Sequence, residues 1–205
     1  MGYLRRSTRS WYLGSIKTYM IMENINLNEL RDRAYKTACE HGFHDKELSN
    51  EHLLCLVISE IMEAVEADRK GKHADRESFK SSYEDEEPHD DVNFKYCFEK
   101  YIKDTISDEL SDAVIRLLDL AGLRNFNLNR FSPVDVVSRE KTFTENIYAI
   151  VKEIMDRKYS LEEQVNYVIT QVFALADILG VDLLWHINQK MRYNELRPML
   201  NGKRY

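Results

Sequence analysis

Seven glycines and three prolines are all that punctuate 205 residues, and this scarcity constrains the fold more than any other feature of the chain. An average sequence carries roughly 12% of the two together. A sheet protein needs them at its tight turns, where glycine supplies positive φ and proline presets the first turn position. Here the apolar residues instead recur at helical spacing, without strand alternation. The chain is therefore expected to be all-α, and its length suits one compact unit. With 43% hydrophobic and 31% charged residues and a mean hydropathy of −0.52, neither a disordered polymer nor a membrane bundle fits.

The periodicity predicts helices over 27–41, from Ser49 or Asn50 to about Arg69, from about 94 to 121 with a break near 105–107, and over 143–157, 161–179 and 182–195. Residues 72–93 hold few apolar groups, include Pro88, and carry the acidic run EDEEPHDD at 84–91; they are read as an acidic insertion loop. Residues 1–21 hold Arg5, Arg6, Arg9 and Lys17 without an acid and are read as a flexible or non-native basic arm, with 22–205 a single domain. The three cysteines form no C-x-x-C pair, which disfavours a disulfide or zinc framework. The longest apolar run, Leu53 to Ile58, is far short of a bilayer span, so a cytoplasmic protein that meets no membrane is expected. A net charge of −6 argues against stable nucleic-acid binding, which needs a cationic footprint. A degenerate internal repeat also shows: SEIME at 59–63 matches KEIMD at 152–156, and ELSDAVIRLLDLA at 109–121 matches QVNYVITQVFALA at 164–176.

Glu60 and Glu63 are three apart on one predicted helix, and Glu109 and Asp112 three apart on another, so each pair shares a face. With 35 acids in the chain, this spacing arises often by chance and is equally open to a solvated-face reading. The surroundings add weight. Leu53 to Ile58 are apolar around the whole circumference, and Glu60 then emerges on the face used by Leu53 and Leu56. A carboxylate there must be paired, protonated or bound to a metal. Arg116 is placed to neutralise Asp112 or Asp119 along its own helix. In the basic C-terminal segment, Lys190, Asn194 and Arg197 share a helical face suited to an anion. Trp185, Phe126 and Phe131 are open to base stacking or to core packing, and His186, His41 and His44 to hydrogen bonding or, less readily, metal binding.

Three ordered blocks, HLLCLVISEIMEAVEADRKGK at 52–72, DELSDAVIRLLDLAG at 108–122 and LGVDLLWHINQKMRYNELRP at 179–198, resemble the MazG-like branch of the all-α NTP pyrophosphatase superfamily, a relative of the dimeric dUTPases and phosphoribosyl-ATP pyrophosphatases. The resemblance implies a four-helix-bundle core with extra helices and a Mg2+-dependent hydrolysis of nucleoside triphosphates between the α and β phosphates, with Mn2+ a substitute ion. It implies Glu60, Glu63, Glu109 and Asp112 as metal ligands, with Glu60 or Glu63 as the catalytic proton acceptor, and Lys190, Tyr193, Asn194, Arg197 and Lys203 as substrate-binding residues. It also implies a homodimer or higher homo-oligomer. The chain departs from the family pattern in the long segment between Glu63 and Glu109, in Ser59 and in Asn201. In the repeat, Gln164 and Tyr167 stand at the positions of the second acid pair, while Glu153 and Asp156 remain open as surface acids or further ligands. The rival expectation is a non-catalytic helical module that binds nucleotides or another protein.

Overall fold

The computed structural model describes residues 22–129, 133–156 and 159–202, with 201 and 202 described by backbone alone. The expectation for residues 1–21, and those for Phe131 and Lys203, lie outside the described residues. Those described are helical, with no strand among them. The elements are α1 (Leu27–Glu40), α2 (Asn50–Arg69), α3 (Arg76–Phe79) continued by a π-helical turn (Lys80–Glu84), α4 (Asp91–Tyr101), α5 (Ile106–Leu123), α6 (Phe143–Met155), α7 (Leu161–Leu179) and α8 (Leu183–Glu195), with a short 3-10 turn at Met199–Gly202. No single helix among them is long and apolar enough to cross a membrane.

Polar side chains set the helix starts. Asn26, Ser49, Asp75, Asp90, Thr105 and Asp182 each accept a hydrogen bond from a backbone N–H of the first turn, satisfying donors that have no partner within the helix. Thr142 with Glu145 and Ser160 with Glu163 form reciprocal capping boxes at the starts of α6 and α7. Gly180, at φ 73°, ends α7 in the left-handed conformation that frees the chain to turn into α8.

α5 is the centre of the molecule. It packs against α1, α2, α7 and α8 and buries Leu110, Ala113, Val114, Leu117, Leu118, Leu120 and Ala121 completely. The break before it falls at 102–105, slightly earlier than the periodicity suggests, where Asp104 adopts φ 59° and Thr105 caps α5.

The stretch 72–93, read from the sequence as a loop, differs. Only parts of it lack regular structure: Phe79 and Tyr83 leave α3 and its π turn to join Phe94, Cys97, Phe98, Ile102 and Tyr193 in a second apolar cluster, with Trp185 packed against it. Their rings meet edge-on or tilted at 5.4–6.2 Å, the arrangement that aromatic quadrupoles favour. The two aromatics sit alone in a polar stretch and gain an apolar surrounding only from α4 and α8, which is why local periodicity gives no sign of them.

Candidate metal centre and adjoining cleft

Packing α2 against α5 brings Glu60, Glu63 and Glu109 together: one oxygen from each lies within 4.8 Å of the others. Glu60 and Glu109 are buried and Glu63 is exposed, so the group opens to solvent on one side. Burial, followed by repulsion from Asp108 and Asp112, pushes the Glu109 carboxyl up to about 8. Three hard oxygen donors suit a divalent cation. Ligand oxygens about 2.1 Å from Mg2+ lie at most about 4.2 Å apart, so a small side-chain movement would close this group on such an ion.

Asp112 lies beside this group but is occupied differently. Lys190, 4% exposed, reaches from α8 to place Nζ 2.8 Å from both Asp112 Oδ2 and Asp108 Oδ2. Burial alone would lower the lysine, but Asp112 and Asp108 outweigh it and hold the ammonium charged. Asp108 is 1% exposed; its Oδ2 also accepts from the Asp104 N–H, and Oδ1 has no partner among the described residues. Burial, and then Asp112, push Asp108 up to about 6 against the pull of Lys190. Asp104, Asp108 and Glu109 form a second close group of carboxylates. Reasoning by i, i+3 pairs passes over Asp108, although its i, i+4 relation to Asp112 puts both on one face.

Arg116 turns across to α2 and not along its own helix: Nε and Nη2 lie 3.1 and 3.0 Å from Glu60 Oε1. It also lines a cleft of about 680 Å³ of empty space, continuous with solvent, whose walls include Ala34, Ala38, Phe43, Ile115 and Met191 with Glu60, Asp112, Asp119, Asn194 and Arg197. Of the expected substrate-binding residues, Asn194 and Arg197 therefore face this cleft. Lys190 and Tyr193 do not line it. The Tyr193 hydroxyl donates to Glu99 at 2.8 Å and its ring stacks on Phe98 at 4.5 Å; burial and Glu99 push it up to about 12. The i, i+4, i+7 face reading thus holds for the second and third residues, whereas the first is drawn inward by the buried Asp108 and half-buried Asp112 carboxylates, which need a counter-charge.

Trp185, His41 and His44 each have partners within the fold. Trp185 packs on Phe79 and under the Arg76 guanidinium at 4.3 Å. His186 is buried, which pushes it down to about 4, so it is neutral at pH 7. His41 Nδ1 and Nε2 lie 2.8 and 2.9 Å from the Thr37 and Arg197 carbonyls, tying the C-terminal segment to α1. His44 Nε2 lies 2.7 Å from Asp119 Oδ1. In the repeat, Gln164 donates to the carbonyls of Glu153 and Ile154, and the Tyr167 hydroxyl donates to Asp135. Where the first hairpin gathers acids, the second is fastened by neutral donors. No protein-family description, no curated protein and no solved structure matches this chain.

Proposed function

We propose that this chain is a Mg2+-dependent nucleoside triphosphate pyrophosphohydrolase that cleaves between the α and β phosphates to give the monophosphate and pyrophosphate. The observation that carries the proposal is the convergence of Glu60, Glu63 and Glu109 from two helices at the edge of a cleft that also holds Arg116, Asn194 and Arg197. The resemblance carried by the three sequence blocks points the same way.

Bound Mg2+ would supply charge neutralisation on the phosphoryl oxygens and a more acidic attacking water. The chain's own residues do the rest. Glu63, the exposed member of the group, accepts the proton of the water, and Glu60 is held in orientation by Arg116. Glu109 enters its ligand role by losing a proton, since ligands bind metal deprotonated. Asp112 is fixed by Lys190, which acts as an internal counter-charge and not as a phosphate ligand. Arg197 and Asn194 meet phosphate oxygens across the cleft, the guanidinium through its planar fork. The proposal extends to a cytoplasmic homodimer or larger homo-oligomer; the exposed Tyr148 and Met155 on α6, each 74% accessible and two turns apart on one face, support an associating surface.

The test is a panel of NTPs and dNTPs with Mg2+, read by chromatography for paired release of monophosphate and pyrophosphate. Wild type should release both in equal amounts, and Glu109→Gln should lower turnover by at least about 100-fold, the usual scale for a group that positions transition-state charge. Nucleotide binding without product from any member of the panel, with the cation present and the protein folded, would favour the non-catalytic module.

A further inference from the structure

The cleft has a second polar end, away from the carboxylate group. Asp112, Ile115, Arg116 and Asp119 project into it from one face of α5, so Asp119 lies about 10 Å along the helix axis from Asp112. That separation is comparable to the reach of a nucleoside between its α-phosphate and the edge of its base. Between the two ends, Ala34 and Ala38 of α1 keep one wall low, and Phe43, Ile115 and Met191 make the others apolar, which suits a flat ring.

At the far end α5 presents a carboxylate acceptor, Asp119. Asp119 is 8% exposed, and its Oδ1 is held by His44 Nε2 at 2.7 Å. The His44 ring in turn sits 5.2 Å from that of Tyr35. Whatever fills this end must bring N–H donors, because a buried acceptor facing another acceptor loses its hydration and gains nothing.

The geometry points to a base-reading site, and we propose that Asp119, fixed by His44, selects a guanine nucleotide and rejects uracil and thymine. This inference rests on the pyrophosphohydrolase reading for the position of the phosphates. Guanine presents N1–H and N2–H side by side, which matches a carboxylate with acceptor sites on both oxygens. Uracil and thymine flank a single N–H with two carbonyls and so set oxygen against carboxylate. Cytosine and adenine offer an amino group beside a ring acceptor and fall between.

Two arms test this. In the first, kcat/KM is measured for dGTP and dUTP with Mg2+. Wild type should favour dGTP by at least about 100-fold, since sites built around buried hydrogen-bonding groups discriminate at least this strongly. Asp119→Asn offers both a donor and an acceptor to the base, and should raise dUTP turnover above wild type while lowering that of dGTP, a gain that damage to the fold does not produce. In the second arm, GMP and UMP binding to wild type is measured by calorimetry without cation, which needs neither catalysis nor a variant. Equal use of dUTP and dGTP, a loss of both in equal proportion in Asp119→Asn, or absent or equal binding of GMP and UMP would overturn the inference. Selective GMP binding without hydrolysis of any triphosphate would keep it and remove the catalytic reading.

Discussion

Arg116 and Lys190 put two positive charges among the carboxylates, and they differ in what they allow. Lys190 is buried and bridges Asp108 and Asp112. Arg116 holds Glu60 from the cleft side, its side chain 22% exposed, and a cation entering among Glu60, Glu63 and Glu109 competes with it for the same carboxylate. Arg116→Gln should therefore bind Mn2+ about 3- to 10-fold more tightly by calorimetry, the scale of one part-exposed charge pair. It should also raise KM for the triphosphate more than it lowers kcat. Unchanged or weaker Mn2+ binding would mean that Arg116 does not compete with the cation for Glu60. The spacing of acids in the sequence makes Glu60, Glu63, Glu109 and Asp112 visible, because helical periodicity fixes which side chains share a face. It does not show that Arg116 prefers a neighbour across the helix interface, or that Lys190 turns inward, because both depend on how α2 and α8 dock on α5.

At the level of elements, α5 packs tightly on α1 at Gly122. A Cβ built there would lie 2.4 Å from Tyr35 Cβ, against a backbone-anchored atom that cannot swing aside. Gly122→Ala gains about 1 kcal/mol of helix propensity, but overpacking costs about 1–3 kcal/mol, and with a contact this short the clash wins. The variant should unfold at lower urea concentration with an unchanged m-value, and because Tyr35 also flanks His44, its nucleotide preference should weaken as well. A more stable variant would show that α1 yields at this point. The long helices are legible in the sequence because each pairs a polar cap with a sustained apolar stripe; the capping boxes at Thr142 and Ser160 are examples. The segment around Phe79 and Tyr83 is not legible, since its helical pieces are too short for a period to show and its apolar partners come from α4 and α8.

Across the whole molecule, the all-α class follows from the rarity of turn formers, but the central place of α5 is set by packing among helices of similar pattern. That packing has an electrostatic consequence: it gathers five carboxylates, Glu60, Glu63, Asp108, Glu109 and Asp112, about the Lys190 and Arg116 cations. Without a cation the folded state carries this excess, and Glu109, raised to about 8 from 4.5, relieves part of it by keeping its proton. The sign follows directly. Between these two values the folded chain binds more protons at Glu109 than the unfolded chain, so this group's contribution to stability falls as pH rises from about 4.5 to about 8. A divalent cation that binds only the folded chain reverses the penalty, adding about 2.7 kcal/mol at a hundred times its Kd, or roughly 5–10 °C in Tm for a chain of this size. Thermal unfolding at pH 8 should show this rise with Mg2+ or Mn2+, its loss on chelation, and no equivalent effect of NaCl at matched ionic strength. At pH 6 the rise should be smaller, because the cation must then displace the Glu109 proton. Glu109→Gln should be more stable than wild type at pH 8 without cation and should respond little to adding it; an equal response in both proteins would mean that the ion binds elsewhere.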